Sequence, residues 1–392
     1  MWGSRRKPNH LPFSRGPYAP GAMDVMLDYS KDGVFMRMYY PTNAVKDDEN
    51  NYKKWIPWVA DSSYIEGIAN VLMLLPVVVR GLMWWSGNTY IPVLYGEKIR
   101  KDKKMKCVIL SHGLGGTRFL YTNVCCELAS QGFIVFALEH RDKSAANTYF
   151  YENEEHAKSN IRSFVRFKRV PLSKGHFETR NKQVNLRSSD CGRVLDFIFG
   201  LNAGNIPHNV LDDVRCKREN CDFSLLDLSG CLDVDNIIMM GHSFGGASAL
   251  LTLSRRHELK LGVLLDPWMF SIKNDNLSEK VKQPLLFINT QTFHVSSNTE
   301  AMSKYLTGNH REMYTILHTT HETQSDTVLL IGYWLNWFMK KLDPQTGLRI
   351  NNSLILRFTN THIGYPENIT EEEDLIKKEE KNIEKGLTKP WL

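Results

Sequence analysis

The sequence predicts an α/β protein in which a mostly parallel central sheet is covered by helices on both faces. Short apolar runs typical of buried strands alternate with helical patterns along most of the 392 residues. A Gly-x-Ser-x-Gly motif lies between one such run and a helical segment, and polar residues directly follow several other runs. Because no linker rich in proline, glycine or serine divides the chain, we expect a single domain over 1–350, with insertions at 143–180 and 201–230 and a peripheral C-terminal tail at 351–392.

The elements before the motif are predicted from apolar runs and turn residues. Met23–Asp28 and Val34–Tyr40 flank a Lys-Asp-Gly turn and indicate a hairpin. The segments that follow along the chain are a buried strand at Cys107–His112, a helix at Leu120–Gln131, a strand at Phe133–Glu139 and a helix at Val184–Gly200. The polar cluster His140–Ser144 follows a strand and is therefore either on the ligand side of the sheet or a salt-bridged loop.

Tyr64–Trp85 is the most apolar stretch, and three interpretations of it stay open. A transmembrane helix is the least favoured, because polar residues interrupt the run and Pro76 breaks it. A buried helix is the plainest alternative. The third is a segment that lies in a membrane surface and contacts lipid through Leu82, Met83, Trp84 and Trp85.

The Gly-x-Ser-x-Gly motif, residues 241–245, has the surroundings of a nucleophile elbow. Asn236–Met240 predicts a buried strand, and the small and apolar residues from Gly246 predict a helix packed on the sheet. A serine in such a turn projects its hydroxyl from the top of the sheet, so Ser243 is the predicted nucleophile. The N–H of Phe244 would then face the oxyanion, together with the N–H of Leu114 in the Gly-Leu-Gly-Gly loop at 113–116.

The strands after the motif supply the partners of the serine. They are predicted at Leu259–Leu265, Pro284–Thr290 and Met313–Leu317, and an amphipathic helix is predicted at Val328–Leu342. Asp266 and His321 each follow a strand, and the carboxyl ends of parallel strands meet at one edge of a sheet. The order Ser243, Asp266, His321 is that of an α/β-hydrolase, with His321 as base and Asp266 as the carboxylate that orients it.

Each assignment has a rival. His318 is an alternative base, disfavoured because it stands at the strand end, whereas His321 lies farther into the loop. Asp275 and Asp326 are weaker candidates for the acid because neither closes a strand, although Asp266 itself fits a structural turn residue as well. His242 adjoins the nucleophile but is expected to be packed and to point away from it.

Several segments resemble the platelet-activating-factor acetylhydrolases of the α/β-hydrolase fold, both plasma and intracellular type II. The matching segments are Gly16-Pro17-Tyr18, Arg37–Pro41, Ser111–Gly115, Gly132–Val135, Glu139–Asp142, Gly241–Gly246 and Leu265–Phe270. The resemblance places the family's triad on Ser243, Asp266 and His321 and its oxyanion donors on Leu114 and Phe244. It implies calcium-independent hydrolysis of short or oxidised sn-2 acyl chains of phospholipids, and binding to a membrane surface through an apolar helix at Ile65–Trp85.

The composition limits which partners and which cellular compartment we expect for this protein. The formal charge of +6 suits an anionic membrane or lipoprotein surface and is too small to argue for nucleic acid. The seven cysteines favour free thiols in a reducing compartment, although Cys216 and Cys221 are alternatively a disulfide, or a metal site with His208. We expect a cytoplasmic, peripherally membrane-associated monomer without metal or cofactor. No secretory signal is visible and Trp2 follows the initiator Met, yet a secreted form stays open.

The alternatives in function belong to different classes. A general carboxylesterase or lipase would use the same triad on esters without a phosphate headgroup. A catalytically silent lipid-binding protein would keep the scaffold without the reaction, and an integral membrane protein would be anchored by Tyr64–Trp85.

Overall fold

A ten-stranded sheet forms the centre of the computed structural model, which describes residues 8–86, 89–214, 221–308, 310–332 and 340–388. The side chains of residues 82–86 lie outside that description. In chain order the strands of the described ranges are β1 (Pro20–Met26), β2 (Phe35–Pro41), β3 (Ile56–Pro57), β4 (Tyr90–Ile91), β5 (Leu94–Tyr95), β6 (Met105–Ser111), β7 (Ile134–Leu138), β8 (Asn147–Phe150), β9 (Ser163–Arg166), β10 (Leu232–His242), β11 (Leu259–Leu265), β12 (Leu285–Thr290), β13 (Arg311–Ile316) and β14 (Ile383–Lys385).

The large sheet has the order β14-β13-β12-β11-β10-β6-β7-β2-β1-β5. The run from β13 to β7 is parallel, whereas β14, β2 and β1 join antiparallel to their inner neighbours. In register, Gly241 lies opposite Ser111 on one side, and His242 lies opposite Leu265 on the other. The carboxyl ends of β6, β10 and β11 therefore finish at the same level, where the predicted site residues follow.

Helices cover both faces of the sheet, as predicted. In chain order they are α1 (Ser62–Leu72), α2 (Pro76–Ser86), α3 (Thr122–Ser130), α4 (Glu154–Lys158), α5 (His176–Asn202), α6 (Phe244–Arg255), α7 (Ser296–Ser303), α8 (Thr327–Ile331), α9 (Pro344–Ile363) and α10 (Thr370–Lys378). Alternate side chains of β6 face opposite ways: Ile109 joins the core under α5 and α6, and Leu110 joins the core under α3 and α9. The predicted α/β class is confirmed.

The prediction that 351–392 forms a peripheral tail is wrong. Helix α9 buries most of one face, and Leu354, Leu356 and Phe358 belong to the core on the α3 side of the sheet. Farther along, β14 adds an antiparallel strand to β13. The mixed charges at 371–385 suggested a solvated segment, but the apolar spacing of α9 that precedes them determines where this part of the chain packs.

The apolar stretch Tyr64–Trp85 forms two short helices, α1 and α2, joined through Met73–Leu75. Within the described ranges, no helix has the length and apolar character needed to cross a membrane. Helix α2 runs through Leu82, Met83, Trp84 and Trp85, whose side chains lie outside the described part, so their predicted contact with lipid stays a prediction.

The remaining boundaries agree with the sequence in outline. The hairpin predicted near the N-terminus is β1 and β2. The segment 143–180 carries a second hairpin, β8–β9, and the start of α5. Of the helix predicted at Val328–Leu342, α8 represents the beginning, and 333–339 lies outside the described residues, as does Cys216.

Replacing Leu356 by Ala should lower the free energy of unfolding by about 2–5 kcal/mol, because the side chain is 0% exposed in the core and its removal leaves a cavity. Chemical denaturation of the full chain measures this change. Leu387→Ala in the same C-terminal region is the matched control, since Leu387 is 53% exposed and its loss should change stability little. Equal, small effects would restore the peripheral interpretation.

Candidate active site

The turn at Ser243 joins the end of β10 to the start of α6 and holds the serine in an unusual backbone conformation. Its φ is 55° and its ψ is −117°, values outside the main regions open to residues with a side chain. Helix α6 comes so close to β6 that a Cβ on Gly245 would lie 2.0 Å from the carbonyl oxygen of Ser111. Glycine is therefore required there, and the serine is left 8% exposed at the carboxyl edge of the sheet.

Asp266 and His321 form a hydrogen-bonded pair beside this turn. The Oδ2 atom of Asp266 lies 3.0 Å from Nδ1 of His321. The carboxylate is 0% exposed and also accepts hydrogen bonds from the N–H and the hydroxyl of Thr290, each at 2.6 Å. Phe293 stacks on the imidazole with ring centroids 3.9 Å apart. These contacts fix the ring and leave its other nitrogen, Nε2, free of the aspartate.

The turn that carries Ser243 lies beside that imidazole. His242, the chain neighbour of Ser243, has its ring centroid 4.4 Å from that of His321. The hydroxyl of Ser243 makes no hydrogen bond to any residue within the described ranges, and catalytic hydrogen bonds are often loose before substrate binds. The arrangement can perform nucleophilic catalysis in which Ser243 attacks a carbonyl, His321 carries its proton, and Asp266 stabilises the imidazolium.

The loop 113–116, hereafter the oxyanion loop, lies against the same serine. A Cβ placed on Gly113 would be 3.3 Å from Cβ of Ser243. Across the described chain, neither the N–H of Leu114 nor the N–H of Phe244 donates a hydrogen bond to another residue. Phe244 begins α6, so the positive end of the helix dipole adds to its N–H. Two unengaged donors next to a serine hydroxyl can stabilise a developing oxyanion.

The rival residues have other environments. His318 holds the loop through its backbone, receiving the N–H of Leu342 on its carbonyl oxygen and donating its own N–H to Gln291. Asp326 is buried at the start of α3, where it accepts hydrogen bonds from two backbone N–H groups and from Trp58. Burial raises the pKa of Asp326 to about 6. Asp275 accepts a hydrogen bond from Asn181.

One group of side chains has the spacing of a metal site. Ligand atoms of His242, Asp266 and His321 lie within 4.8 Å of one another. Each of the three side chains already makes a hydrogen bond: Nδ1 of His321 to Asp266, the Asp266 carboxylate to Thr290, and Nδ1 of His242 to the hydroxyl of Tyr121 at 2.8 Å. Nε2 of His242 is buried and has no partner among the described residues. These pairings favour a triad over metal ligation, and the predicted absence of a metal stays a prediction.

The comparison with protein families identifies the relatives of this site. Residues 4–383 match the family described as platelet-activating factor acetylhydrolase, isoform II. The chain belongs to this family. It is 32% identical to the platelet-activating factor acetylhydrolase of Bos taurus over 381 residues, covering 96% of this chain and 82% of that one. The enzyme of the same name from Gallus gallus is 30% identical over 386 residues, covering 95% and 88%.

Among solved structures, a ferulic acid esterase from Streptomyces cinnamoneus superposes with a TM-score of 0.60 at 14% identity, over 91% of this chain and 93% of the esterase. At that identity the similarity is evidence for the fold alone, and this fold agrees with the predicted α/β-hydrolase class. Membership of the acetylhydrolase family confirms the resemblance stated from the sequence motifs, and it places the chain among ester hydrolases.

In this acetylhydrolase family member, the most extensive support for the oxyanion loop comes from a residue that sequence reasoning missed. Arg187 on α5 is 0% exposed and donates to the carbonyl oxygen of His112 and to the hydroxyl of Ser144, besides pairing with Asp142 at 3.1 Å. The carbonyl oxygen of Ser144 in turn accepts the N–H of Gly115 at 2.7 Å. No local motif marks Arg187, because its partners lie more than 40 positions away in sequence.

The polar cluster His140–Ser144 is part of the same support. His140 lies between Ser111, at 2.9 Å, and Asp190, at 2.7 Å. Burial lowers the pKa of His140 well below its usual value, which favours the neutral ring. The sequence left two interpretations of this cluster, residues on the ligand side of the sheet or a salt-bridged loop. Its contacts in the structure are those of a salt-bridged loop. Its position at the end of β7 lets it hold the neighbouring oxyanion loop.

His242 is buried, as predicted, and its ring lies alongside that of His321. Its predicted direction away from the nucleophile stays a prediction. Burial lowers the pKa of His242 well below its usual value, so the neutral ring can accept the hydroxyl proton of Tyr121 on Nδ1. The Tyr121 oxygen accepts the N–H of Gly113 at 2.8 Å. Tyr121 therefore ties the oxyanion loop to the nucleophile turn.

Replacing Tyr121 by Phe should lower kcat for a water-soluble ester by about tenfold to a hundredfold with little change in KM, because the loop loses its anchor while its donors remain. Steady-state kinetics of the full chain checks this split. Tyr365→Phe is the matched control: its hydroxyl donates to the carbonyl oxygen of Gln131, away from the site, and its loss should leave kcat unchanged. An unaltered kcat in Tyr121→Phe would contradict the positioning role.

Proposed function

We propose that this protein hydrolyses short or oxidised sn-2 acyl groups of phospholipids such as platelet-activating factor, without calcium, using Ser243, Asp266 and His321. The observation that best supports this proposal is the hydrogen-bonded Asp266–His321 pair beside a serine in a strained turn. The chain that carries them belongs to the acetylhydrolase family. The names of the relatives from Bos taurus and Gallus gallus supply the substrate class.

The chemistry divides into two ester-transfer steps. Ser243 attacks the sn-2 carbonyl carbon while His321 takes its proton, and the oxyanion is held by the N–H groups of Leu114 and Phe244. Collapse expels the lyso-phospholipid alkoxide, which receives the proton from His321. Water then repeats the sequence on the acyl-serine and releases the carboxylate. His321 supplies the proton transfer, and the two N–H groups supply the charge stabilisation for which a metal ion could otherwise serve, which supports calcium independence.

The surroundings of the nucleophile favour a short acyl chain. Ser243 is 8% exposed, and its carbonyl oxygen accepts the N–H of Trp268 at 2.9 Å. The ring of Trp268 packs on Phe244 at 5.7 Å and on Phe270 at 5.5 Å. These rings pack next to the serine turn, and the low exposure of Ser243 supports a small acyl group over a long saturated one.

Release of sn-2 acetate from an acetyl-glycerophosphocholine in the presence of EDTA tests the proposal. Wild-type activity should survive the chelator, and Ser243→Ala should reduce it by about a millionfold because the nucleophile is removed. The control is Ser254→Ala on the same helix, which should remain active because the Ser254 hydroxyl donates to the carbonyl oxygen of Leu251 and, among the described residues, to no group of the site. Cleavage of a soluble short-chain ester alone would favour a general esterase, and inactivity of the folded protein on both substrates would favour a silent lipid-binding protein.

We propose in addition that the junction of α1 and α2 contacts a membrane or lipoprotein surface. Five apolar residues are exposed there, hereafter the apolar junction: Leu72, Met73, Leu75, Val77 and Val78, which are 44–76% exposed. Val71, at the end of α1, packs against Gly115 in the oxyanion loop, so the apolar junction adjoins the active site. The arrangement suits an enzyme that draws its substrate from a lipid surface.

Replacing Met73, Leu75 and Val77 by Ser should weaken binding to phosphatidylcholine vesicles about tenfold or more, since each loses apolar area that lipid would cover. Vesicle sedimentation measures this, and hydrolysis of a soluble ester should change far less. Serine at Val45, Leu226 and Leu387, which are comparably exposed elsewhere, is the control. Equal losses in both variants, or parallel loss of binding and hydrolysis, would contradict a lipid-contact role.

The cysteines support a cytoplasmic location for this membrane-associated form. The six cysteines within the described ranges are free, and burial raises the pKa of Cys107, Cys125, Cys126 and Cys191. Buried, unpaired thiols suit a reducing compartment.

A further inference from the structure

A cavity of about 330 Å³ lies apart from the catalytic residues. Its walls are the β1–β2 loop, the polar segment after β7, the segment after β9 and one face of α5. None of Ser243, Asp266 and His321 lines it. A cavity of this volume is at the lower end of the range for small-molecule sites.

The lining of this cavity, hereafter the basic cavity, has an excess of positive charge that the protein does not balance. Three of its acids already have cationic partners: Glu139 pairs with Arg118, Asp142 with Arg187 and Asp190 with Arg193. Asp32 is the fourth. Five cationic residues of the lining form no ion pair with any residue that the structure describes: Lys31, Arg141, Lys143, Lys168 and Lys182.

Arg141 is the unusual member of this set, because it is buried and forms no ion pair within the described residues, although Glu139 and Asp190 attract its charge from farther away. It is 6% exposed, and its guanidinium donates only to neutral backbone oxygens: those of Tyr149 at 3.1 Å, Ser30 at 3.1 Å and Gly33 at 2.7 Å. Its Nη2 atom has no hydrogen-bond acceptor in the described chain. Burial lowers the pKa of Arg141 to about 10. A buried cation in such surroundings carries a desolvation cost that a bound anion would offset.

We propose that the basic cavity binds a phosphate group. Guanidinium and ammonium groups together are the donors that proteins use for phosphate, and the volume admits a phosphate together with a small substituent such as glycerol. Two sources share this chemistry: the headgroup of an anionic phospholipid, and a soluble phosphate ester.

The position of the cavity favours the lipid headgroup. Lys168 on its wall is followed by Arg169, whose guanidinium donates to the carbonyl oxygens of Asn70 and Val71 at the end of α1. Immediately beyond lie the exposed residues of the apolar junction. A surface that presents apolar side chains next to a basic cavity is complementary to a membrane that carries negative headgroups.

The test compares two triple variants of the full chain. Lys143, Lys168 and Lys182 are exposed residues of the cavity wall, and their replacement by Ala removes three charges there. The control replaces Lys260, Lys280 and Lys304 by Ala; these lysines are also exposed, lie outside the cavity and give the same change in net charge. Thermal melting verifies that both variants fold like the wild type.

The first arm is sedimentation with phosphatidylcholine vesicles that contain roughly one-fifth phosphatidic acid, compared with phosphatidylcholine alone. The cavity variant should bind the acidic vesicles about a hundredfold more weakly than the wild type, and the control should bind like the wild type. The second arm is calorimetric titration with sn-glycerol 3-phosphate, with uncharged glycerol as the blank.

The results of the two arms distinguish a lipid headgroup from a soluble phosphate ester as the ligand of the basic cavity. Loss confined to acidic vesicles assigns the cavity to a lipid headgroup. Saturable heat with glycerol 3-phosphate in the wild type and the control, but not in the cavity variant, assigns it to a soluble phosphate ester as well. Equal vesicle binding by the two triple variants, together with no saturable heat in the wild type, would overturn the proposal. None of these readouts uses the hydrolytic reaction, so they are independent of the proposed substrate.

Discussion

The close approach of α6 to the ends of β6 and β10 is the constraint on which the active site depends. It leaves no room for a side chain at Gly245, and Ser243, two residues earlier in the same turn, has a φ of 55°. Such a conformation costs about 1–3 kcal/mol, and it persists because the surrounding elements are buried on both sides. In return the turn presents the Ser243 hydroxyl at the sheet edge and leaves the N–H of Phe244 unengaged. A looser helix would relieve the strain and lose both features.

The second donor of the site is held in place from two directions. On one side Tyr121 links Gly113 to His242. On the other, the buried guanidinium of Arg187 connects the backbone of His112 to Ser144. Donors that are already oriented need no rearrangement when negative charge develops, and this preorganisation is the main electrostatic source of catalysis. His112 and His140 lie near Arg187, and burial and the charge of Arg187 lower the pKa of each. A second buried positive charge beside this guanidinium would be repelled, so neutral histidines are compatible with a fixed oxyanion loop.

Sequence alone predicted the parts of the fold that carry local signals. The strands before Ser243, Asp266 and His321 were recognisable because each is an apolar run followed at once by polar residues. Arg187 could not be found in this way, since it belongs to a long helix of mixed polarity and its meaning comes from residues brought to it by the fold. The orientation of His242 likewise depends on Tyr121. The apolar residues of α9 recur at helical spacing, and this pattern could have predicted its packing on the sheet. The strand β14 could not be recognised, because it lies within a run of charged residues.

That last strand has a consequence for solubility. The outer edge of β13 would otherwise present unpaired N–H and C=O groups, and such edges recruit strands from other molecules. β14 covers this edge with three residues, two of which, Glu384 and Lys385, are charged and exposed. A short, charged strand is a poor template for further pairing. The C-terminal segment therefore protects the parallel sheet, whose interior is almost entirely apolar, from intermolecular strand addition.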